Sequence, residues 1–466
     1  MVACSVASGP NHDLRIYKKS NDVELEFIVS QTMKTADIFG LGFMTFAFFL
    51  GAGNIIFPPM AGFLAGEQMS WAMLGFLVTG VGLPLATIIA VARAGGGLLT
   101  MTELLPKGIG IAIAVAAYLI IGPAFATPRT GLVAYEMGLK PFLGAEAGQM
   151  SLTLFIVGYF GLSLVLSLNQ GRLLDAIGKV LTPVLVLLLV VLAIGVLVAP
   201  QGSVPAASGE YLANPGVKGL LEGYNTMDTF GALMFGMLII DVLKQKGISD
   251  SRLQTRYLVR AGLIAAAGLA FVYVSLFQLG ATAGGLLSAP NNGGEIVALY
   301  VAKLFGPAGQ FILAGIVSLA CLTTAVGLTS ACADFFHTLW PRLSYKGLVI
   351  GMSLLCALIA NVGLSALISL SIPVLVAIYP VAVALVVMTF LKEHFTHPRL
   401  AFRLVLLVSM LFGALDGLKT AGVDLQQFNF LPLFDLGLAW LLPTLLAMGL
   451  CLCWRMAPKL NPLSAE

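Results

Sequence analysis

The stretch FFLGAGNIIFPP, residues 48–59, decides how this chain is read. It lies inside an apolar run from Ile38 to about Leu64, long enough to cross a bilayer. Yet Gly51, Gly53, Asn54, Pro58 and Pro59 are the residues least suited to an unbroken helix. Glycine leaves helical geometry cheaply, proline removes an N–H donor and clashes with the preceding turn, and Asn54 carries an amide to mid-membrane depth. Glycines alone would serve close helix packing. The added Asn54 and the Pro58-Pro59 pair point instead to an interrupted span, because backbone groups freed in hydrocarbon need partners and such segments line a cavity or an ion site.

Around this stretch the composition is that of a membrane protein. The 466 residues are 59% hydrophobic and only 10% charged, with a mean hydropathy of +0.97; soluble domains carry about 25% charged residues. The fold class expected is an all-α polytopic membrane protein. Twelve spans are read at about 37–64, 70–92, 108–137, 150–168, 177–199, 223–243, 257–281, 308–335, 346–361, 371–390, 401–416 and 434–454. Residues 293–305 have a helical pattern but are too short and polar to cross, and are expected to form a surface helix. Residues 1–33 form a polar extension with no apolar h-region; it is not a cleavable signal, is expected to be disordered, and makes Met33 a candidate start. One membrane domain is expected over 34–458, with repeats at about 37–199 and 223–390, extra helices at 401–454 and a short tail at 459–466.

Charge distribution orients the chain. Loops on the N-terminal side carry Lys34, Arg93, Lys107, Arg172, Lys179, Lys244, Lys246, Arg252, Arg256, Arg260, Arg342, Lys346, Lys392, Arg399, Arg403, Arg455 and Lys459, against Lys140, Lys218, Lys303 and Lys419 opposite: 17 to 4. The positive-inside rule places both termini in the cytoplasm. Cys4, Cys321, Cys332, Cys356, Cys451 and Cys453 lack disulfide or zinc spacing and read as packing residues. No phosphate-binding glycine loop or nucleophile elbow is present, so an ATP-driven pump or a hydrolase is not supported.

A second irregular span, YNTMDTFGALMFG from Tyr224 to Gly236, opens the second half. It is the sixth span, five steps on from the first with four spans between them, so the two run in opposite directions. Interrupted helices at matching places of two inverted halves are the sequence signature of a secondary-transporter site.

The polar groups near these segments are the candidates. In span eight, Ala320-Cys321-Leu322-Thr323-Thr324 offers two hydroxyls and carbonyls, hard oxygen ligands suited to sodium; threonines that bond back to their own helix are the ordinary alternative. Arg129 lies within span three, where a charge needs a partner or a wet cavity. Glu136 and Asp228 are its candidate partners, and an outer gate and a structural ion pair are equally compatible readings. Asp228 could also assist cation coupling, bind an ammonium group or cap a helix. Asp37, Asp241, Asp334 and Asp416 fall at span ends and read as hydrated helix termini.

The motifs GFMTFAFFLGAGNIIFPP, ATPRTG, YNTMDTFGALMFG and ACLTTAVGLTSACADFF, in this order, closely resemble the bacterial branched-chain amino acid:cation symporters, the BrnQ-type or LIV-II carriers, over about Lys34 to Arg455. The resemblance implies a LeuT-like core of two inverted five-span repeats plus two further helices in the bacterial cytoplasmic membrane. It also implies uptake of leucine, isoleucine and valine with Na⁺, or with H⁺ in some members. By similarity to the more distant LeuT-type pattern, Ala52, Gly53, Asn54, Thr229, Phe230 and Gly231 are implied in substrate binding, with the second break at residues 229–231. Ala47, Leu50, Ala320, Thr323 and Thr324 are implied as sodium ligands. Asp228 has no counterpart in that pattern, and Arg129 is a candidate for the gating arginine. Partners expected are the substrate and the lipid bilayer, with no nucleic acid and no obligate protein partner. Proton-coupled symport through Asp228 and a passive channel are the rivals.

Overall fold

The structure, a computed structural model, describes residues 33–144, 147–168, 182–287 and 289–453. The readings made for residues 1–32 and 454–466 lie outside the described residues. Regular structure among those described is helical. Helix lies within each of the twelve apolar runs where they are described, the last being helical only over Leu441–Cys453; among the described residues seven helices are long and apolar enough to cross a membrane alone, or eight when one bent pair is counted as a span.

Span one is two helices, Thr35–Phe49 and Ala52–Ala65, separated by Leu50 and Gly51. The break is narrower than the sequence suggested. Gly53 and Asn54 fall in the first turn of the second helix, and Pro58 and Pro59 are carried inside it. The prolines leave the Asn54 and Ile55 carbonyls without their helical donors but do not end the helix. Small residues let a neighbour close in: a Cβ on Gly280 would meet the Pro59 carbonyl oxygen at 1.9 Å, and one on Gly62 the Phe277 oxygen at 2.2 Å, so span seven (Ser251–Ala281) lies backbone to backbone against it.

Span six is Pro215–Tyr224 followed by Asp228–Gln245, bent by 41°. The break is residues 225–227, not 229–231; Thr229, Phe230 and Gly231 are helical. Met227 is the reason: its φ of 62° lies in the left-handed region, sparsely populated by residues with a side chain. The first helix of this pair packs on span two, where Thr79 Oγ1 donates to the Leu220 carbonyl at 2.6 Å.

Three further features depart from the sequence reading. Span three is Lys107–Leu119 and Ala126–Gly138 joined through a π-helical turn, Ile120–Ala124, with Gly122 and Pro123 inside it. Residues 293–305 form a helix of their own, set off from span eight where Gly306 takes a φ of 64°, but one face of it is not at the surface: Ile296, Val297, Tyr300 and Val301 are buried. Gly293 makes that packing possible, since a Cβ there would meet the Ile56 carbonyl oxygen at 1.8 Å. Asp416 is not a hydrated terminus; it is fully buried in Pro398–Thr420 and accepts from the Trp440 amide at 3.3 Å.

Candidate site at the two helix breaks

The two breaks touch. A Cβ on Gly53 would lie 3.2 Å from Thr226 Cα and 3.3 Å from the Asn225 and Thr226 carbonyl oxygens, so the second helix of span one begins directly against the unwound backbone of span six. Only glycine allows this approach without displacing backbone. Two half-helices, Ala52–Ala65 and Asp228–Gln245, therefore start against each other and turn the N–H groups of their first turns to this junction, the Asp228 amide donating to Thr226 Oγ1 at 3.4 Å.

Asn54 ties this junction together. Its Oδ1 accepts from the Gly51 amide at 3.1 Å, capping the helix start. Its Nδ2 donates to Asp228 Oδ2 at 2.7 Å and to the Tyr273 hydroxyl. Tyr273 donates in turn to Asp228 Oδ2 at 2.6 Å. All three residues are buried. Spans one, six and seven are thus joined through one carboxylate held by neutral donors.

Arg129 is also buried, yet no carboxylate meets it. Its Nη1 donates to the Asn225 carbonyl at 2.7 Å and its Nη2 to Ser371 Oγ at 3.0 Å, while the guanidinium lies 5.0 Å from the Phe57 ring centre. Glu136 is not its partner: it pairs with Lys140 at 2.7 Å, one helical turn along. Asp228 is not either, since neither Arg129 nor Asp228 forms an ion pair among the described residues.

These groups frame a cavity of about 40 Å³. Its polar wall includes Gly51, Gly53, Asn54, Arg129, Thr226 and Asp228; its apolar wall is Phe48, Phe49, Ile121, Phe235 and Leu328. Phe48 and Phe235 stack at 5.0 Å. The space suits a few water molecules, so a larger guest requires the walls to part. Ala52 and Gly231 also line it; Thr229 and Phe230 are buried, with Phe230 edge-on to Tyr379 at 5.1 Å.

A second cluster consists of oxygen atoms alone. Thr324 Oγ1 stands 3.5 Å from the Leu50 carbonyl, across from span eight to the break of span one, and 3.1 Å from the Ala320 carbonyl. Thr323 Oγ1 bonds back to Ala320 at 2.7 Å, as threonines in helices do. The Gly51 amide, which would bond the Ala47 carbonyl in a continuing helix, bonds Phe49 O at 2.7 Å instead and releases Ala47 from that bond. The sequence reading missed Tyr273 and Ser371: each lies in an apolar run among other scattered polar residues, Ser275 and Gln278 or Ser365 and Ser369, with no pattern to single it out.

The comparisons with known proteins agree with this architecture. The profile of the branched-chain amino acid transport protein family matches residues 34–457. The chain belongs to that family. The carrier is 50% identical to the branched-chain amino acid transport system 2 carrier protein of Pseudomonas aeruginosa over 431 residues, 92% of this chain and 98% of that one. It is 43% identical to the branched-chain amino acid permease BrnQ of Salmonella typhimurium over 432 residues, with the same coverage of each. Among solved structures it resembles Mhp1, a nucleobase-cation-symport-1 family transporter, in a closed conformation, with a TM-score of 0.59 at 16% identity, covering 92% of this chain and 94% of that one. That likeness places the carrier in the LeuT-like fold. It is a transporter, not an enzyme.

Proposed function

We propose that the carrier takes up branched-chain amino acids by sodium symport. The single observation that carries this reading is the meeting of the two helix breaks at a cavity with one polar and one aliphatic-aromatic wall. The start of Ala52–Ala65 offers N–H groups and a positive helix end to the substrate carboxylate. Phe48, Ile121, Phe235 and Leu328 offer an apolar surface to a branched side chain. The names of the relatives, a branched-chain amino acid carrier and a permease, support the substrate class.

Sodium is the cation favoured by the oxygen cluster at Leu50, Ala320 and Thr324, with the Ala47 carbonyl and Thr323 completing the set. Because Leu50 and Gly51 are themselves the break, a cation bound there fixes the start of the helix that meets the substrate. Coupling follows when cation and substrate together favour the closing state more than either does alone. The carrier lies in the bacterial cytoplasmic membrane with both termini cytoplasmic, a placement supported by the 17 to 4 bias of basic residues counted above.

Proteoliposomes loaded without sodium test this. An inward sodium gradient is expected to concentrate radiolabelled leucine, isoleucine and valine, and choline in place of sodium is expected to abolish accumulation. Accumulation driven by a pH gradient in choline would establish the proton-coupled rival; uptake that never exceeds equilibrium would establish a channel.

A further inference from the structure

Two charges face the cavity without a counter-charge of their own. Arg129 uses Nη1 and Nη2 on a backbone carbonyl and a serine, and its Nε–H, fully buried, has no acceptor among the described residues. The Asp228 carboxylate accepts on Oδ2 from Asn54 and Tyr273, the Thr226 hydroxyl is also a partner, and all of these donors are neutral. Other nearby charges are engaged elsewhere: Glu222 with Lys218 at 3.4 Å and with Asn225 Nδ2 at 2.9 Å, and Glu136 with Lys140. An isolated charge in a buried membrane site is costly, and two of opposite sign at one cavity are complementary to a guest that carries both signs. Their placement is tight: Arg129 holds the carbonyl of Asn225 at the start of the break, and Asp228 begins the helix at its end.

We propose that Arg129 and Asp228 form a clamp for a zwitterion, the guanidinium taking the α-carboxylate and the Asp228 carboxylate taking the α-ammonium. This rests on the amino-acid reading above and extends it. The half-helix end then assists Arg129 rather than acting alone, Asn54 and Tyr273 are positioning residues that aim Asp228, and the carrier rejects molecules with only one of the two charges. Branched keto acids and branched amines, which share the aliphatic chain, are excluded at the polar wall.

The test measures ligand-induced thermal stabilisation of the purified carrier as a function of ligand concentration, which yields an affinity for each ligand without transport. The ligands are leucine, 4-methylpentanoate, which lacks the ammonium, and 3-methylbutylamine, which lacks the carboxylate. In the unaltered carrier each stripped analogue is expected to bind roughly 10- to 150-fold more weakly than leucine, the range for losing a hydrogen bond to a charged group. In Asp228→Asn the preference for leucine over 4-methylpentanoate is expected to collapse while that over 3-methylbutylamine persists; Arg129→Gln is expected to show the mirror pattern. Equal affinity for all three ligands in the unaltered carrier overturns the clamp, and that comparison needs no variant to fold. A variant that weakens all three ligands equally also overturns it, as does Asp228→Asn with its discrimination intact but its sodium response lost. Failure of the unaltered carrier to bind leucine at all would instead remove the amino-acid reading on which the clamp stands.

Discussion

Asn54 and Asp228, 174 residues apart in the chain, are joined by a 2.7 Å hydrogen bond from Nδ2 to Oδ2 where the two broken spans meet. The same amide caps its own half-helix through Gly51 and reaches Tyr273 of span seven. One side chain therefore sets the mutual position of three spans, and its loss should be felt as a loss of function before a loss of folding.

Asn54→Ala removes all of these bonds and leaves Asp228 with one donor fewer. Leucine uptake per copy in the membrane is expected to fall roughly 10- to 100-fold, the range for hydrogen bonds to a charged group. Tyr273→Phe deletes only the hydroxyl and is expected to be the milder of the two. Initial rates normalised to membrane expression rank them; equal and negligible effects would remove the network from the mechanism.

Gly53→Ala places a Cβ 3.2 Å from Thr226 Cα and 3.3 Å from two carbonyl oxygens, so the breaks must separate by a few tenths of an ångström. Uptake is expected to drop with little change in the amount of protein inserted. Gly158→Ala, with open space around its Cβ position, is the control and is expected to be silent.

Thr324→Ala is expected to raise the sodium concentration needed for half-maximal uptake more than Thr323→Ala does. Thr324 reaches across to the Leu50 carbonyl, whereas the Thr323 hydroxyl bonds within its own helix. The double variant is expected to lose sodium stimulation altogether. Sodium titrations of leucine uptake give the ranking, and an unchanged sodium curve in the double variant would falsify the assignment.

Glu136→Gln breaks an i,i+4 pair with a half-exposed Lys140. Such pairs contribute about 0.2–1 kcal/mol. Uptake is expected to stay within about twofold, in contrast to Arg129→Gln, and kinetics of the two side by side decide it.

Helix breaks are legible in sequence because their causes are local; their limits are not. Gly51 marked the first interruption, yet Pro58 and Pro59 remain helical, with span seven packed against them through Gly280. The second break moved to residues 225–227 because Met227, with no glycine to announce it, takes a left-handed conformation that only the surrounding structure imposes. The π-helical turn of span three before Arg129 holds Gly122 and Pro123, a local signal that the sequence reading passed over. Pairings across the fold are the least legible part: Arg129 meets a carbonyl and a serine instead of the carboxylates its charge suggested, and Tyr273 enters the site from an unremarked apolar run. Residues 293–305, read as too short and polar to cross and so as a surface helix, are a helix with one face buried, because Gly293 lets it settle onto the Ile56 carbonyl.

The most direct measurement of the central claim runs the carrier in reverse order of cause. Proteoliposomes are given a leucine gradient with equal sodium on both sides, and the entry of radioactive sodium is followed. The account predicts that leucine drives sodium inward in the unaltered carrier and not in the Thr323→Ala/Thr324→Ala double variant. Leucine entry with no accompanying sodium, or with protons in its place, would contradict it.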